Sequence, residues 1–321
     1  MAAIAWSTIS WRTSASSSTS DPVATIGERL LGWVRLTHPF PSLLDGLVSG
    51  SIAALAGGPL ELAIRIGLAM TLLQLGIGTV NDLVDAPRDA GRKAGKPIPA
   101  GLVPPSGAVV LAAGCFALGS ALAVAVSPAM GALALVVIGI GLAYDLRLKG
   151  TAWSWLPFAV GIPILPVFGW LGATGGLDPI FAILVPTAVA AGAALAIGNA
   201  LVDIERDAAA GVSSVAVALG GRSAARVGVA LMGSIWVLAW SSALREGASW
   251  VLVAVVAAVG LVPLAAAAAA VSSATSAARS SGSGADSAAR RERLWQAEAV
   301  GLAILAAAWL AIVIGSGRPA A

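Results

Sequence analysis

Apolar runs of about twenty residues alternate with short polar connections along nearly the whole chain, the spacing of helices that cross a bilayer. Nine runs can be marked, at roughly 36–57, 60–80, 104–126, 129–146, 152–172, 180–200, 224–244, 248–271 and 295–315. They are continuous rather than alternating, which predicts helices and excludes a membrane β-barrel. Ala, Gly, Leu and Val dominate them, and the many small residues permit close helix–helix approach where lipid supplies no hydrophobic drive. The expected fold is an all-α integral membrane protein with nine transmembrane helices.

The polar stretches set the expected organisation. Residues 1–32 read as a disordered tail: the first part is rich in Ser, Thr and Ala and lacks the basic start and sustained apolar core of a cleaved signal peptide. Residues 33–315 form one membrane domain. Within it 272–290, rich in Ser, Gly and Ala, reads as a flexible linker between the eighth and ninth helices. Residues 316–321 are a short C-terminal tail.

Composition supports the membrane assignment, since the chain is 58% hydrophobic and 11% charged, about half the charge of an ordinary soluble domain. Of its 19 Lys and Arg residues, all but Arg65, Arg245 and Arg318 fall in the N-terminal tail or in loops that follow even-numbered runs. That asymmetry predicts a multi-pass protein of the cell membrane with its N-terminus and even loops in the cytoplasm and its C-terminus outside. The net charge of +3 therefore marks topology, and membrane lipids rather than nucleic acid are the expected surroundings. Cys115 stands alone, so neither a disulfide framework nor a Cys-rich metal site is available. His38 is the single histidine, which excludes a His triad for zinc. Trp33, Trp153, Trp155, Trp250 and Trp295 lie near run ends, where tryptophan anchors to the interface.

One polar pattern occurs twice, each time where a long apolar run gives way to a loop. Asn81, Asp85 and Asp89 (NDLVDAPRD) repeat as Asn199, Asp203 and Asp207 (NALVDIERD). A spacing of four puts each set on one helical stripe, with Asp82 one residue off the first. Pro87 lacks the N–H that would bond back to residue 83, so a kinked or broken helix end is expected there. Carboxylates at a membrane boundary are costly and tend to be functional. Grouped closely they repel unless a cation lies between them, and hard oxygen ligands select Mg2+, which commonly binds through one or two carboxylates and substrate phosphates. A solvated acidic face paired with nearby Arg is the simpler explanation of one copy; two matched copies on one membrane side argue against it.

Basic residues flank both clusters: Arg88, Arg92, Lys93 and Lys96 after the first, Arg206 within the second. Positive-inside bias alone would place cations here. A polyphosphate held by metal from one side also wants such donors from the other. Tyr144 closes the fourth run and is followed by Asp145, Arg147 and Lys149 (YDLRLKG). That loop is either an interfacial anchor with topology charges or a third wall of the acidic site.

On these residues the chain resembles the UbiA-type intramembrane prenyltransferases. NDLVDAPRD is similar to that family's first Asp-rich signature and NALVDIERD, followed by GVSSVAVALG, to its second. KPIPAG resembles the loop downstream of the first motif, with Lys96 in place of arginine, and YDLRLKG resembles the Tyr and Leu-Lys stretch after the fourth helix. The family's fold is a nine-helix bundle whose central cavity opens sideways to lipid. The resemblance implies Mg2+-dependent transfer of a prenyl or polyprenyl group from an allylic diphosphate to a small lipophilic acceptor, often an aromatic quinone precursor. It further implies metal ligation by Asp82, Asp85, Asp89, Asp203 and Asp207, diphosphate binding by Asn81, Asn199 and the flanking bases, and assistance from Lys96, Tyr144 and Lys149. Ser213 and Ser214 stand where many members have Lys-Thr, and Val202 where many have Arg, so no named pathway follows.

Three rival functions remain. One is the same scaffold serving a non-aromatic, phosphorylated acceptor or cyclising the prenyl chain; additional cations at the cavity would favour the phosphorylated acceptor. An ion-coupled transporter would want its carboxylates near the bilayer midplane rather than at helix ends. A non-catalytic assembly partner gives no reason for a duplicated acidic signature.

Overall fold

The computed structural model describes residues 24–91, 95–277 and 284–317, with backbone alone at 272–277, 284–285 and 317. These residues form helices with no strand among them. In chain order they are α1 (Ile26–Leu36), α2 (Pro39–Leu55), α3 (Leu60–Asp89), α4 (Pro105–Val124), α5 (Pro128–Ala143), α6 (Leu156–Thr174), α7 (Phe181–Val202), α8 (Ile204–Ala209), α9 (Val215–Leu219), α10 (Gly221–Arg245), α11 (Trp250–Ala277) and α12 (Gly284–Gly317). Among the described residues 8 helices are long and apolar enough to cross a membrane, and α2, with 17 residues, is a shorter apolar companion. Together they match the nine runs.

These nine helices close a ring. Each packs on the next in the order α2, α3, α4, α5, α6, α7, α10, α11, α12, and α12 returns to α2. Small residues allow the tight contacts: a Cβ on Gly46 of α2 would lie 2.7 Å from the carbonyl oxygen of Gly67 on α3. Large apolar side chains such as Leu47, Leu68, Val110, Leu135 and Val251 point outward and are exposed. That inside-out arrangement suits a protein whose outer solvent is lipid.

Two expected irregular segments are partly ordered. α1 begins inside the expected tail, because Thr25 and Glu28 form a capping box: the Thr25 hydroxyl oxygen accepts from the Glu28 N–H at 3.2 Å, and the Glu28 carboxylate accepts from the Thr25 N–H at 2.7 Å. The bonds from Thr25 hold the Glu28 carboxyl below its usual range. Residues 1–23 lie outside the described residues. Within the expected linker, α11 continues to Ala277 and α12 starts at Gly284, since Ala-rich sequence sustains helix. Only 278–283 of that segment lie outside the described residues.

Pro87 does not break α3, which runs on to Asp89. A proline in a last turn removes one hydrogen bond near the end of the ladder, and the Ala90 N–H still reaches the Ala86 oxygen at 3.2 Å. The break falls instead in the second motif. α7 ends at Val202, Asp203 adopts φ −103° and ψ 9°, and α8 restarts at Ile204.

Candidate active site

α3 delivers the first cluster. Asp82, Asp85 and Asp89 are buried, one and two turns apart on its inner face, while Asn81 is half-buried beside them. Lysines from two other segments answer these carboxylates, Lys96 facing Asp82 and Asp89 and Lys149 facing Asp85. The loop after α3 folds on itself, with the Leu102 N–H donating to the Pro97 oxygen at 3.0 Å and Gly95 supplying a φ of 81°. Ile98 and Val103 pin that loop against Leu36 and Ala86. Lys96 is thereby aimed at Asp82, its Nζ 2.5 Å from Oδ1 and 3.9 Å from Asp89 Oδ2.

A π-helical turn, Tyr144–Leu148, extends α5 and supplies the third wall. Such turns redirect side chains and recur at functional sites. Here the turn buries Asp145 and sends Lys149 back over the cluster. Lys149 donates to Asn81 Oδ1 at 2.9 Å and to Asp85 Oδ2, and Asn81 Nδ2 donates to Asp145 Oδ1 at 2.6 Å. Lys149 Nζ also stands 5.9 Å from the centre of the Tyr144 ring, which meets Phe158 edge-on at 5.5 Å. The loop after the fourth run therefore lines the same cavity as the first motif.

The second cluster faces the first across a cavity of about 940 Å3. Asn199 from α7 and Asp203 at the α7–α8 junction line it with Asn81, Asp82, Asp85, Lys96, Tyr144, Asp145, Lys149 and Arg206. Asp203 Oδ1 accepts from Arg206 Nη1 at 2.8 Å. Tyr144 lines the cavity together with Asp85 of the first motif and Asp203 of the second. Below the polar chamber an apolar recess of about 170 Å3 shares Phe40, Asp45, Phe158, Ile162, Leu165 and Trp295 with it and continues along Val48, Ile52 and Leu184.

Not every expected site residue reaches the cavity. Arg88 is exposed, and Arg88, Asp89 and Asp207 are absent from the cavity wall. Asp89 is buried one turn beyond Asp85, and Asp207 is half-buried on α8, past the break. Arg92 lies outside the described residues. Trp295 is no interfacial anchor: it lines the cavity and donates to the Leu195 oxygen at 3.1 Å.

His38, Asp145, Arg35 and Asp45 also line the wall, although sequence reasoning gave none of them a ligand-binding role. His38 adopts a left-handed φ of 48° and brings Nε2 to 2.6 Å from Asp82 Oδ1. Asp145 could have been found, since it is the one acidic residue in a basic loop. Arg35 and Asp45, in the apolar context of α1 and α2, carry no spacing signal.

The donor set suits a hard divalent cation only in company. Among the described residues no three His, Cys, Asp or Glu side chains stand close enough to hold a metal ion by themselves. Among the described residues two buried carboxylate oxygens, Asp89 Oδ2 and Asp145 Oδ2, have no hydrogen-bond donor. Carboxylates on opposite walls with lysines between them fit an ion that keeps waters and is bridged by a ligand's phosphates, the usual habit of Mg2+.

Comparison with known proteins bears on the family and the fold. A family model described as the UbiA prenyltransferase family matches residues 44–282. A digeranylgeranylglyceryl phosphate synthase of Methanoregula boonei is 31% identical over 206 residues, covering 62% of this chain and 72% of that protein. The Methanopyrus kandleri protein of the same name is 32% identical over 187 residues, covering 57% and 66%. The solved structure of a UbiA homolog from Archaeoglobus fulgidus bound to DMAPP and Mg2+ shares the fold with a TM-score of 0.62 at 19% identity, over 89% of this chain and 98% of that one.

Proposed function

The chain belongs to the UbiA prenyltransferase family, and from that premise we propose that it moves a prenyl group from an allylic diphosphate to a lipid-tailed acceptor with the help of Mg2+. The observation that carries this is the facing of two Asn/Asp motifs across one cavity, with Lys96, Lys149 and Arg206 between them. Mg2+, when bound with the donor, supplies charge neutralisation for the departing diphosphate. Asp82, Asp85 and Asp203 would hold it, with Asp89 and Asp207 behind them. Lys149 and Lys96 are placed to donate to diphosphate oxygens as the C1–O bond breaks and its electron pair leaves with the diphosphate. The apolar recess receives the isoprenoid tail and excludes water while C1 carries positive charge. The acceptor then bonds to C1 and loses a proton.

For the acceptor, a phosphorylated alcohol is favoured over an aromatic ring. Arg35 adds a cation to the cavity wall beyond the three committed to motif carboxylates, and both relatives above are named for a glyceryl phosphate product. The asymmetry of Lys and Arg puts the polar end of the cavity at the cytoplasmic face of the cell membrane, with the C-terminus outside.

The test is incubation of purified protein with Mg2+, prenyl diphosphates of graded length, and either geranylgeranylglyceryl phosphate or hydroxybenzoate, with products read by mass spectrometry. Diphosphate release that disappears on chelation of Mg2+ and in Asp85→Ala and Asp203→Ala supports the reading. Release that persists in both folded variants sinks it. An adduct of hydroxybenzoate alone would overturn the acceptor assignment and leave the donor chemistry standing.

A further inference from the structure

The break at Asp203 is gripped from outside by one residue. α12 starts well before its apolar part, and its first turns lie along the polar chamber, where Ala288, Ala289, Glu292 and Gln296 line the wall. Arg291 projects elsewhere. Arg290 and Arg293 are exposed, as topology charges should be, but the Arg291 side chain is only 2% exposed. Its Nη2 donates to the Val202 oxygen at 3.4 Å and to Glu205 Oε2. Val202 is the last residue of α7 and Glu205 lies in the first turn of α8. One guanidinium thus holds both sides of the residue that interrupts the helix.

Helix-end carbonyls lack intrahelical donors, and a cation near a helix C-terminus is favoured by the macrodipole. A planar fork can serve a carbonyl and a carboxylate together, which an ammonium does less well. The pairing is not forced by Glu205, whose side chain is 54% exposed and would be solvated without it. Positive-inside bias would be satisfied equally by an exposed arginine. We propose that Arg291 is the positioning residue of the second carboxylate motif: by fixing Val202 and Glu205 it sets the break that turns Asp203 into the cavity. The inference rests on the donor-site reading above, and Arg291 itself touches no substrate.

The test uses the full chain in detergent and measures binding rather than turnover, with Mg2+ and geranyl thiodiphosphate as probe and thermal stabilisation as readout. Outer residues that orient ligating groups typically change affinity about 10–100-fold when removed. Arg291→Met and Glu205→Gln should each weaken the probe's apparent affinity at least about tenfold, with Arg291→Lys recovering part of the loss. A lower melting temperature without probe, combined with wild-type affinity, would mean packing alone and overturn the assignment. Should Arg291→Met fail to insert, Glu205→Gln decides: affinity within about twofold of wild type refutes the proposal. If the wild type itself is not stabilised by the probe, the donor-site reading fails, and this inference with it.

Discussion

Lys149 and Asp85 form an ion pair across 64 residues of chain, and the same Nζ donates to Asn81 at 2.9 Å. A lysine that follows one helix thus holds the first two members, Asn81 and Asp85, of a motif on another. Its pairing partly offsets the cost of crowding Asp82, Asp85 and Asp145 in one region.

Replacing Lys149 with Met removes that donor and leaves Asp85 facing Asp145 unopposed. Turnover is expected to fall about 10²–10³-fold, the usual effect of deleting one donor to a developing anion. Arg at this position should recover little, because its fork is longer and flatter than the ammonium the pocket fits. Single-turnover diphosphate release measures the step directly, and a loss under about threefold would remove Lys149 from the machinery.

His38 holds a conformation that costs a non-glycine residue about 1–2 kcal/mol, in exchange for its contact with Asp82. His38→Gly should therefore be more stable than His38→Ala by about 1 kcal/mol and equally impaired in donor binding. Thermal unfolding with and without Mg2+ and the thiodiphosphate separates the two effects. Equal stability of the two variants would show that the backbone there is unstrained.

Much of this arrangement is legible in sequence, for identifiable reasons. The apolar runs map onto the helices because bilayer thickness sets helix length, so that the run at 104–126 becomes Pro105–Val124. The first stripe is legible because a spacing of four has one meaning on a helix. Its neighbour misleads: Pro87 is a strong local signal, yet in a last turn it costs only one bond. NALVDIERD contains no helix breaker, and its break at Asp203 comes from tertiary partners, Arg291 above all, which no local pattern encodes. His38 is hidden for the same reason, since a lone histidine has no spacing, and its role appears only when α2 meets α3.

Arg88 and Lys96 flank the same motif and look alike in sequence, but the structure separates them. Arg88 is exposed, whereas Lys96 reaches Asp82 and the cavity. Arg88→Ala should leave activity within about twofold of wild type, as for surface substitutions generally. Lys96→Met should raise KM for the donor diphosphate about tenfold or more, the loss expected of a charge-assisted donor. Comparable kinetics for the two variants would contradict the observed side-chain directions.

Gly192 tests whether the site depends on how closely α6 and α7 approach. A Cβ there would stand 2.2 Å from the Phe158 oxygen and 2.9 Å from the Ala159 Cα, both backbone atoms that cannot rotate away. Gly192→Ala must therefore move one helix, at a cost near the upper end of about 1–3 kcal/mol for overpacking. The displaced helices carry Asn199 on one side and Phe158, which braces Tyr144, on the other. A shift of about 1 Å in positioned groups can cost about 10²-fold in rate, so activity should fall further than stability alone explains. Gly139 on α5 is the control: a Cβ there meets nothing within 4 Å. Gly139→Ala should be neutral or stabilising by about 0.5–1 kcal/mol, the difference between the two residues in a helix interior. Melting temperature and turnover of the two variants, measured side by side, distinguish a general intolerance of added methyl groups from a requirement at the α6–α7 contact, and equal behaviour would place the constraint elsewhere.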